Sequence, residues 1–533
     1  MLAAGIAVLV LLLVTLWHMD RSAWYDEAWV VDYLSRPTPA ATLRQCVQTH
    51  RPAAVGYVLA MWPIAHLPVQ SLELFRLPTA VATVLLLVAA ASLGRAWSGL
   101  RTAGWLAAVF LLACPLLQRY VTEVKQYATE ATLTVCLIAA TQWWATTRRW
   151  PAAATWLALA LLCLVGTFSA WFAVAACGLT IFACWLRPID KRQIVVTLAF
   201  GAVIAAVAAA VHLGFNRHIA GSGQVQDSWA REFIPLTADY PRQVWIRLAQ
   251  MLQRGWYTLG FPEQAVLGVG ALGWLVWLRR QPVSALAAAL TVAITVAANA
   301  AGVWPLGLGA RVRINLPLLT LLNLCLLALP LGALGMLLNR RCAPTPGAEP
   351  SAAEAAPAPI ARTCRLEWVG LAMVTLLAAW ALRESRQADY EVAQARELLS
   401  RAAQAATPAD RVVLEETTDL NRRYMDLAIP GDVVVGAWPG TDILRDYLPL
   451  ALKPGASRVY FLAGHHNEAL QEHWQTLMTT LQKHGQTQQA WTGRLVALYV
   501  FTPASPGTPG NPGTPGNPGN PGAAENPGAS QSR

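Results

Sequence analysis

At 533 residues, 55% hydrophobic and only 13% charged, the chain is too apolar for an ordinary soluble protein, where roughly a quarter of residues are charged. Forty Lys and Arg against thirty Asp and Glu leave a net charge of +10. That excess sits in short links between apolar runs, which makes it a topology signal and not a nucleic-acid patch. With a mean hydropathy of +0.39 and recurrent apolar runs long enough to cross ~30 Å of hydrocarbon, this reads as a polytopic membrane protein followed by a soluble portion.

Residues 2–18 form the first expected span. They lack a basic leader segment, and His18-Met19-Asp20 is a poor cleavage site, so the span is expected to be retained. Residues 52–68 are apolar but short and interrupted by Pro63, which fits an interfacial or re-entrant helix. Further spans are expected near 77–95, 103–118, 128–146, 151–168, 171–186, 194–213, 264–278, 284–303, 314–338 and 366–382, about eleven in all. With the N-terminus in the cytoplasm, every cytoplasmic link is basic: Arg95 and Arg101, Arg148 and Arg149, Arg187 to Arg192, Arg279 and Arg280, and Arg340 to Arg365. That is the positive-inside pattern, and a crossing at 52–68 would reverse it. The Asp26 loop, the Tyr120–Tyr127 segment, the 212–263 loop and the Gly302–Arg313 segment then share the extracytoplasmic face.

The 342–363 link is rich in Ala and Pro and reads as flexible. Residues 385–404 look like a surface helix. Beyond it, Arg411-Val-Val-Leu, Asp432-Val-Val-Val-Gly, Arg458-Val-Tyr-Phe-Leu and Val496-Ala-Leu-Tyr-Val-Phe are short β-branched or aromatic runs, with helical patterns near 441–452 and 467–484. The expected organisation is a mainly α transmembrane bundle over 1–384, a small soluble extracytoplasmic α/β domain over 385–503, and a Pro/Gly/Asn-rich disordered tail over 504–533. The nine cysteines lie mostly inside spans and show no CxxC or Cys/His metal spacing, so buried thiols are expected and not a disulfide framework.

Four stretches on the outer face carry chemistry. Asp26 and Glu27 lie among Trp24, Tyr25 and Trp29 at the membrane rim. Carboxylates are costly near hydrocarbon and usually face a watery cavity with a task there, such as taking a proton from an attacking hydroxyl. The competing reading is a solvated loop acid, and Asp20 and Asp32 rank below the pair. Thr49-His50-Arg51-Pro52 opens the 52–68 segment. A guanidinium at that helix N-terminus could hold a phosphate bidentately, or simply meet lipid headgroups. His50 is the single candidate for a divalent metal and reads more simply as polar surface. Tyr120-Val-Thr-Glu-Val-Lys-Gln-Tyr127 offers Lys125 and Tyr127 for a polar headgroup, with Glu123 and Tyr127 one helical turn apart; its alternative is interfacial anchoring. Arg311 and Arg313 lie where positive charge is disfavoured, which invites an anionic lipid-phosphate ligand. Arg76 reads as an interfacial snorkel. One acid and several cations at one set of helix mouths suit transfer from a lipid-linked phosphate, where positive charge must wait for the departing anion.

In this order the motifs resemble the bacterial GT-C superfamily glycosyltransferases of the family 39 and 83 type, which include protein-mannosyltransferase-like proteins and are related to the aminoarabinose transferase of lipid A. The resemblance spans about residues 1–340 and rests on Asp26-Glu27-Ala28, Arg51-Pro52, Arg76-Leu77-Pro78-Thr79 and Glu123-Val-Lys125-Gln-Tyr127, with Arg313 to Pro317 as a weaker fifth. It implies Asp26 as catalytic base, with Glu27 orienting it or sharing its work. It also implies a polyprenyl-phosphate sugar as donor, and Arg51, Lys125 and Arg313, with Tyr127 beside them, on the phosphate. The acceptor would be an envelope glycan, lipid or protein. Two departures stand out. Ala53 replaces the second proline of many relatives, and His50 stands where related lipid A enzymes carry Glu, so their metal site does not carry over intact. No motif requires a cofactor. The rivals are a transporter or flippase for a lipid-linked saccharide, which would show internal repeats and polar residues in mid-span, and a polymerase or ligase of diphosphate-linked glycans. No clear repeat is present. The long 212–263 loop, with Trp229, Trp245 and Trp256, is a candidate lid or acceptor surface, with interfacial anchoring of its tryptophans as the alternative.

Overall fold

The computed structural model describes residues 25–48, 53–68, 71–99, 101–121, 123–186, 189–220, 230–255, 263–307, 314–342, 376, 397–415, 422, 427–436, 443–463, 468–492 and 497–504. The span expected at 2–18, nearly all of the one at 366–382, the link from 343 to 363, and the tail expected to be disordered lie outside them. The chain divides into two compact units: Met1–Ser400 with Glu416–Ala428, and Arg401–Glu415 with Ile429–Arg533.

The first unit is mainly helical in its described part. Three short helices come first: α1 Tyr25–Leu34, α2 Pro39–Gln48 and α3 Val55–Ala65. The apolar helix α3 has 11 residues, too few for ~30 Å of hydrocarbon. Long α4, Leu72–Ser98, starts where the Ser71 side chain accepts the Leu74 N–H at 3.2 Å and ends at Gly99 with φ 77°, a left-handed C-cap. The span expected at 103–118 is broken into α5 Arg101–Ala113 and α6 Pro115–Val121, because Pro115 has no N–H to continue the ladder. Then follow α7 Tyr127–Thr147, α8 Trp150–Gly166, α9 Trp171–Leu186 and α10 Lys191–Val211. The chain runs on from α10 through a π-helical turn, His212–Asn216, to a last turn at Arg217–Ala220. The bundle closes with α11 Tyr240–Gly255, α12 Glu263–Arg280, α13 Pro282–Ala300 and α14 Leu316–Cys342.

Among the described residues, four helices are long and apolar enough to cross a membrane: Glu73–Ser98, Lys191–Asn216, Pro282–Ala300 and Leu316–Ala333. Shorter apolar helices accompany them, including α8 and α9 of 17 and 16 residues. This is a multi-pass membrane protein. Within its helices, Thr83, Thr141, Thr180, Thr291 and Thr320 donate their hydroxyls to the carbonyl four residues back, which satisfies a polar group where no water reaches it. Thr132 also reaches the Ala82 carbonyl at 3.0 Å and joins α7 to α4. Seven described cysteines are free thiols.

Two apolar cores form in this unit. The larger runs through α4, α5, α7 to α9 and α12 to α14, around Leu86, Trp97, Leu112, Trp144, Trp156 and Trp277. The smaller packs Val30, Tyr33 and Leu34 of α1, Cys46 of α2, and Tyr57, Val58 and Met61 of α3 around Phe75, Val124 and Phe215. In its described part the expected 212–263 loop is largely helical. Its Trp229 and Trp256 lie outside the described residues, while α11 buries Val244, Leu248, Met251 and Leu252 and leaves Trp245 exposed.

The second unit is a small α/β domain. Strands β1 Arg411–Glu415, β2 Asp432–Gly436, β3 Val459–Ala463, β4 Gly485–Thr492 and β5 Ala497–Pro503 alternate with α15 Ile443–Leu452 and α16 Glu468–Leu481. The sheet order is β2-β1-β3-β5-β4. β1 runs parallel to β2 and β3, with Val413 opposite Val434 and Phe461. β5 runs antiparallel to β3 and β4, with Phe461 opposite Tyr499. Trp474 of α16 is the centre of the core, stacked on Tyr499 at 5.8 Å and edge-on to Tyr447 at 5.3 Å. Burial pushes the Tyr499 hydroxyl up to about 12. Arg411 spans β1, β2 and α15 by donating to Asp432 Oδ2 at 2.9 Å and to the Leu450 and Lys453 carbonyls. Asp410 accepts from Arg458 at 2.9 Å and from Thr407. Burial alone would raise its carboxyl, but these donors overcome that and hold it below its usual value. β4 was not expected: its Gln-Thr-Gln-Gln run has no apolar alternation, and it joins the sheet at an edge.

Candidate functional site

Three of the sequence motifs meet at one buried carboxylate. Glu27, on the first turn of α1, is 0% exposed, and so is Arg76 near the start of α4. Arg76 Nε donates to Glu27 Oε1 at 3.1 Å, and Nη2 donates to Oε2 at 2.9 Å. Glu27 Oε1 also accepts the Val124 N–H at 2.7 Å. The fork of a guanidinium matches a carboxylate in this two-bond geometry, and the backbone donor satisfies a further lone pair. The pair lies 49 residues apart in sequence and the backbone bond spans 97. Arg76 is therefore not the interfacial snorkel that its sequence suggests. It is the buried partner of the Asp-Glu-Ala motif. Glu27, with both oxygens engaged, has the geometry of an anchor for its neighbour. Asp26 is the preceding residue of the same helix.

The Glu123-Val-Lys125-Gln-Tyr127 motif lines the other side of this clasp. Residues 123–126 form a non-helical turn, and the helix begins at Tyr127. Glu123 thus does not stand one helical turn from Tyr127. It accepts from Arg119 of α6 at 3.2 Å instead. Lys125, 6% exposed, and Tyr127, 8% exposed, are both buried, and the Tyr127 ring meets Tyr120 edge-on at 5.5 Å. The buried hydroxyls of Tyr57 on α3 and Thr79 on α4 complete the polar neighbourhood, with Glu27 and Glu123 close to the phenol. Desolvated charges and hydroxyls in this density make this the candidate functional region. Asp32, ranked lower, accepts from Gln45 at 3.0 Å and straps α1 to α2.

His50, Arg51 and Arg313 lie outside the described residues. Their flanks are well defined. Ala53 and Ala54, directly after Arg51-Pro52, are 1% exposed. Val47 and Val55 flank the 49–52 link and line a cavity of 570 Å3 with Leu43, Arg44 and, from the turns that follow α10, Phe215 and His218. It is apolar apart from Arg44 and His218. On the other flank, Asn315, just after Arg313, accepts from Trp304 Nε1 at 3.0 Å and donates to the Pro305 carbonyl at 3.1 Å. Asn299, at the end of α13, donates to the Trp304 carbonyl at 3.0 Å and accepts from Ile234 N–H and the Tyr240 hydroxyl. Arg247 donates to Glu232 Oε2 and to the Leu306 carbonyl, both at 3.1 Å. The segments on either side of residues 308–313 are thereby pinned by buried polar bonds.

Sequence reasoning passed over Glu130, a carboxylate 2% exposed in the first turn of α7. The signal was present as a lone acid inside an apolar run, which is costly without a purpose. Among the described residues no group of three or more His, Cys, Asp or Glu side chains is arranged to hold a metal ion.

No family model and no curated protein matches the chain. Among solved structures it is similar to ArnT from Cupriavidus metallidurans bound to undecaprenyl phosphate, at 14% identity and a TM-score of 0.49, over 94% of this chain and 97% of that one. The apo state of the same protein gives 13% identity and a TM-score of 0.47 over the same shares. At that distance the roles of individual residues do not transfer.

Proposed function

We propose that this protein is a membrane glycosyltransferase that moves a sugar from a polyprenyl-phosphate donor to an extracytoplasmic envelope acceptor. The observation that carries this reading is the Glu27 clasp. It joins the Asp-Glu-Ala, Arg-Leu-Pro-Thr and Glu-x-Lys-x-Tyr motifs, distant in sequence, at one buried polar centre. The apolar cavity beside the 49–52 link suits the prenyl chain of such a donor, with Arg44 and His218 among its lining residues.

In the proposed step, Asp26 takes the proton of the acceptor hydroxyl. The hydroxyl oxygen attacks the anomeric carbon on the face opposite the phosphate. The carbon–oxygen bond to phosphate breaks, and its electron pair leaves with the polyprenyl phosphate, so configuration inverts. Arg51, Lys125 and Arg313 stabilise the charge that develops there, with Tyr127 beside Lys125. Glu27, held by Arg76, orients Asp26. The phosphate is already a good leaving group, so no second acid is required, unlike glycoside hydrolysis.

The test is a transfer assay on full-length protein with a panel of polyprenyl-phosphate sugars, with and without chelator. Asp26→Asn is expected to lower turnover by about 10²–10⁴-fold, the usual worth of a positioned base, while donor binding persists. Wild-type turnover in Asp26→Asn sinks the mechanism. Donor translocation without any transfer makes the protein a flippase, and loss of transfer on chelation brings His50 back as a metal ligand.

A further inference from the structure

Glu130 is a buried carboxylate whose described partners are all neutral donors. Oε1 accepts the Phe168 N–H at 3.0 Å, and Oε2 accepts the Ser169 hydroxyl. Both belong to the short turn between α8 and α9, which Thr167 stabilises by donating to the Cys163 carbonyl. An anion without a cation partner is expensive inside a span. Two helix N-termini lie beside it: α7 begins at Tyr127, and α9 begins at Trp171, just past the donors. The positive dipole ends of both helices favour the carboxylate.

The same residue joins the 167–170 turn to the helix that follows the 123–126 turn of the candidate site. Its amide N–H makes the first backbone bond of α7, to the Gln126 carbonyl at 2.8 Å, so its side chain stands one helical turn from the 123–126 turn that carries Lys125. Phe168, held by its carboxylate, packs on the apolar cluster that contains Val124, Tyr57 and Phe75. We infer that Glu130 is a positioning residue for the donor phosphate, fixing the 123–127 turn against the 167–170 turn so that Lys125 is held in place. This inference rests on the polyprenyl-phosphate reading.

The experiment measures binding of a long-chain polyprenyl phosphate to the full-length protein in detergent, together with the KM and kcat of transfer. Glu130→Ala removes the acceptor for both donors and is expected to weaken binding and raise KM about tenfold, as loss of two buried hydrogen bonds warrants, with kcat changed much less. Glu130→Gln keeps an amide oxygen for Phe168 and is expected to stay within about threefold of wild type. Adding Lys125→Ala to Glu130→Ala should bring little further loss, since both act through one ammonium. Unchanged binding in Glu130→Ala overturns the inference. So does a Gln variant as weak as Ala, or losses that multiply in the double variant. If Glu130→Ala does not fold, Ser169→Ala decides: a loss of about threefold supports the inference, and none overturns it. A wild-type protein that fails to bind polyprenyl phosphate sinks the functional reading itself, an outcome distinct from these.

Discussion

Removing Arg76 tests whether the clasp holds the site together. In Arg76→Met a side chain of similar reach replaces the guanidinium, and Glu27 keeps the Val124 N–H at 2.7 Å but loses the two donors at 2.9 and 3.1 Å. Both side chains are 0% exposed, so no water can replace what is lost. Stranding one member of such a pair costs about 3–5 kcal/mol. Glu27→Leu takes both carboxylate oxygens from Arg76 and also leaves the Val124 N–H without its acceptor, a further penalty of about 1–3 kcal/mol. The double variant removes both members of the pair together. Its destabilisation should fall short of the summed singles by about 2 kcal/mol or more, within the range of coupled contacts. The assay is equilibrium unfolding of the full-length protein in mixed micelles, followed by tryptophan fluorescence, for all four members of the cycle. Single-variant costs that add to within about 0.5 kcal/mol, the behaviour of independent sites, refute the clasp as an energetic unit.

Lys125→Ala should raise the KM for a polyprenyl-phosphate sugar by about tenfold or more, the loss of one charge-assisted contact, which steady-state kinetics will read. In the C-terminal unit, Asp410 has a carboxyl held below its unfolded value of 3.8, so it stabilises the fold above that value and loses this contribution as pH falls through the depressed value. Hydrogen exchange of a peptide over 458–463 should accelerate on acidification in wild type; Asp410→Asn should lack that acid-dependent component. A Cβ on Gly273 would stand 1.7 Å from the Cys325 carbonyl oxygen. Gly273→Ala therefore has to push α12 away from α14, and should lower thermal stability in detergent by about 1–3 kcal/mol, the usual cost of overpacking.

The apolar helices and four of the five strands are legible in the sequence because their causes are local. A run of about 20 apolar residues reads as a span wherever it occurs. Val412 to Leu414 and Val459 to Leu462 read as strands because β-branched and aromatic side chains suit a pleat. The break at Cys114-Pro115 has a local cause as well, a missing N–H. β4 has none. Its burial alternates only weakly, and it is ordered by pairing with β5, such as Gln488 with Val500. The turn at Glu123 has no local cause either, because the residues that could have formed one more helical turn hand a backbone N–H to Glu27 instead.

By itself, then, the sequence determined the membrane bundle, the small α/β unit and the set of motifs whose order suggests phosphate-linked sugar transfer, since hydropathy and short motifs are properties of neighbouring residues. Tertiary structure alone decided the division of labour among the charges. Arg76 met Glu27 across 49 residues, and Val124 met it across 97. Burial and pairing of charge depend on what folding brings from elsewhere in the chain. The physical reason is that a carboxylate excluded from water must find its donors wherever the packed helices present them.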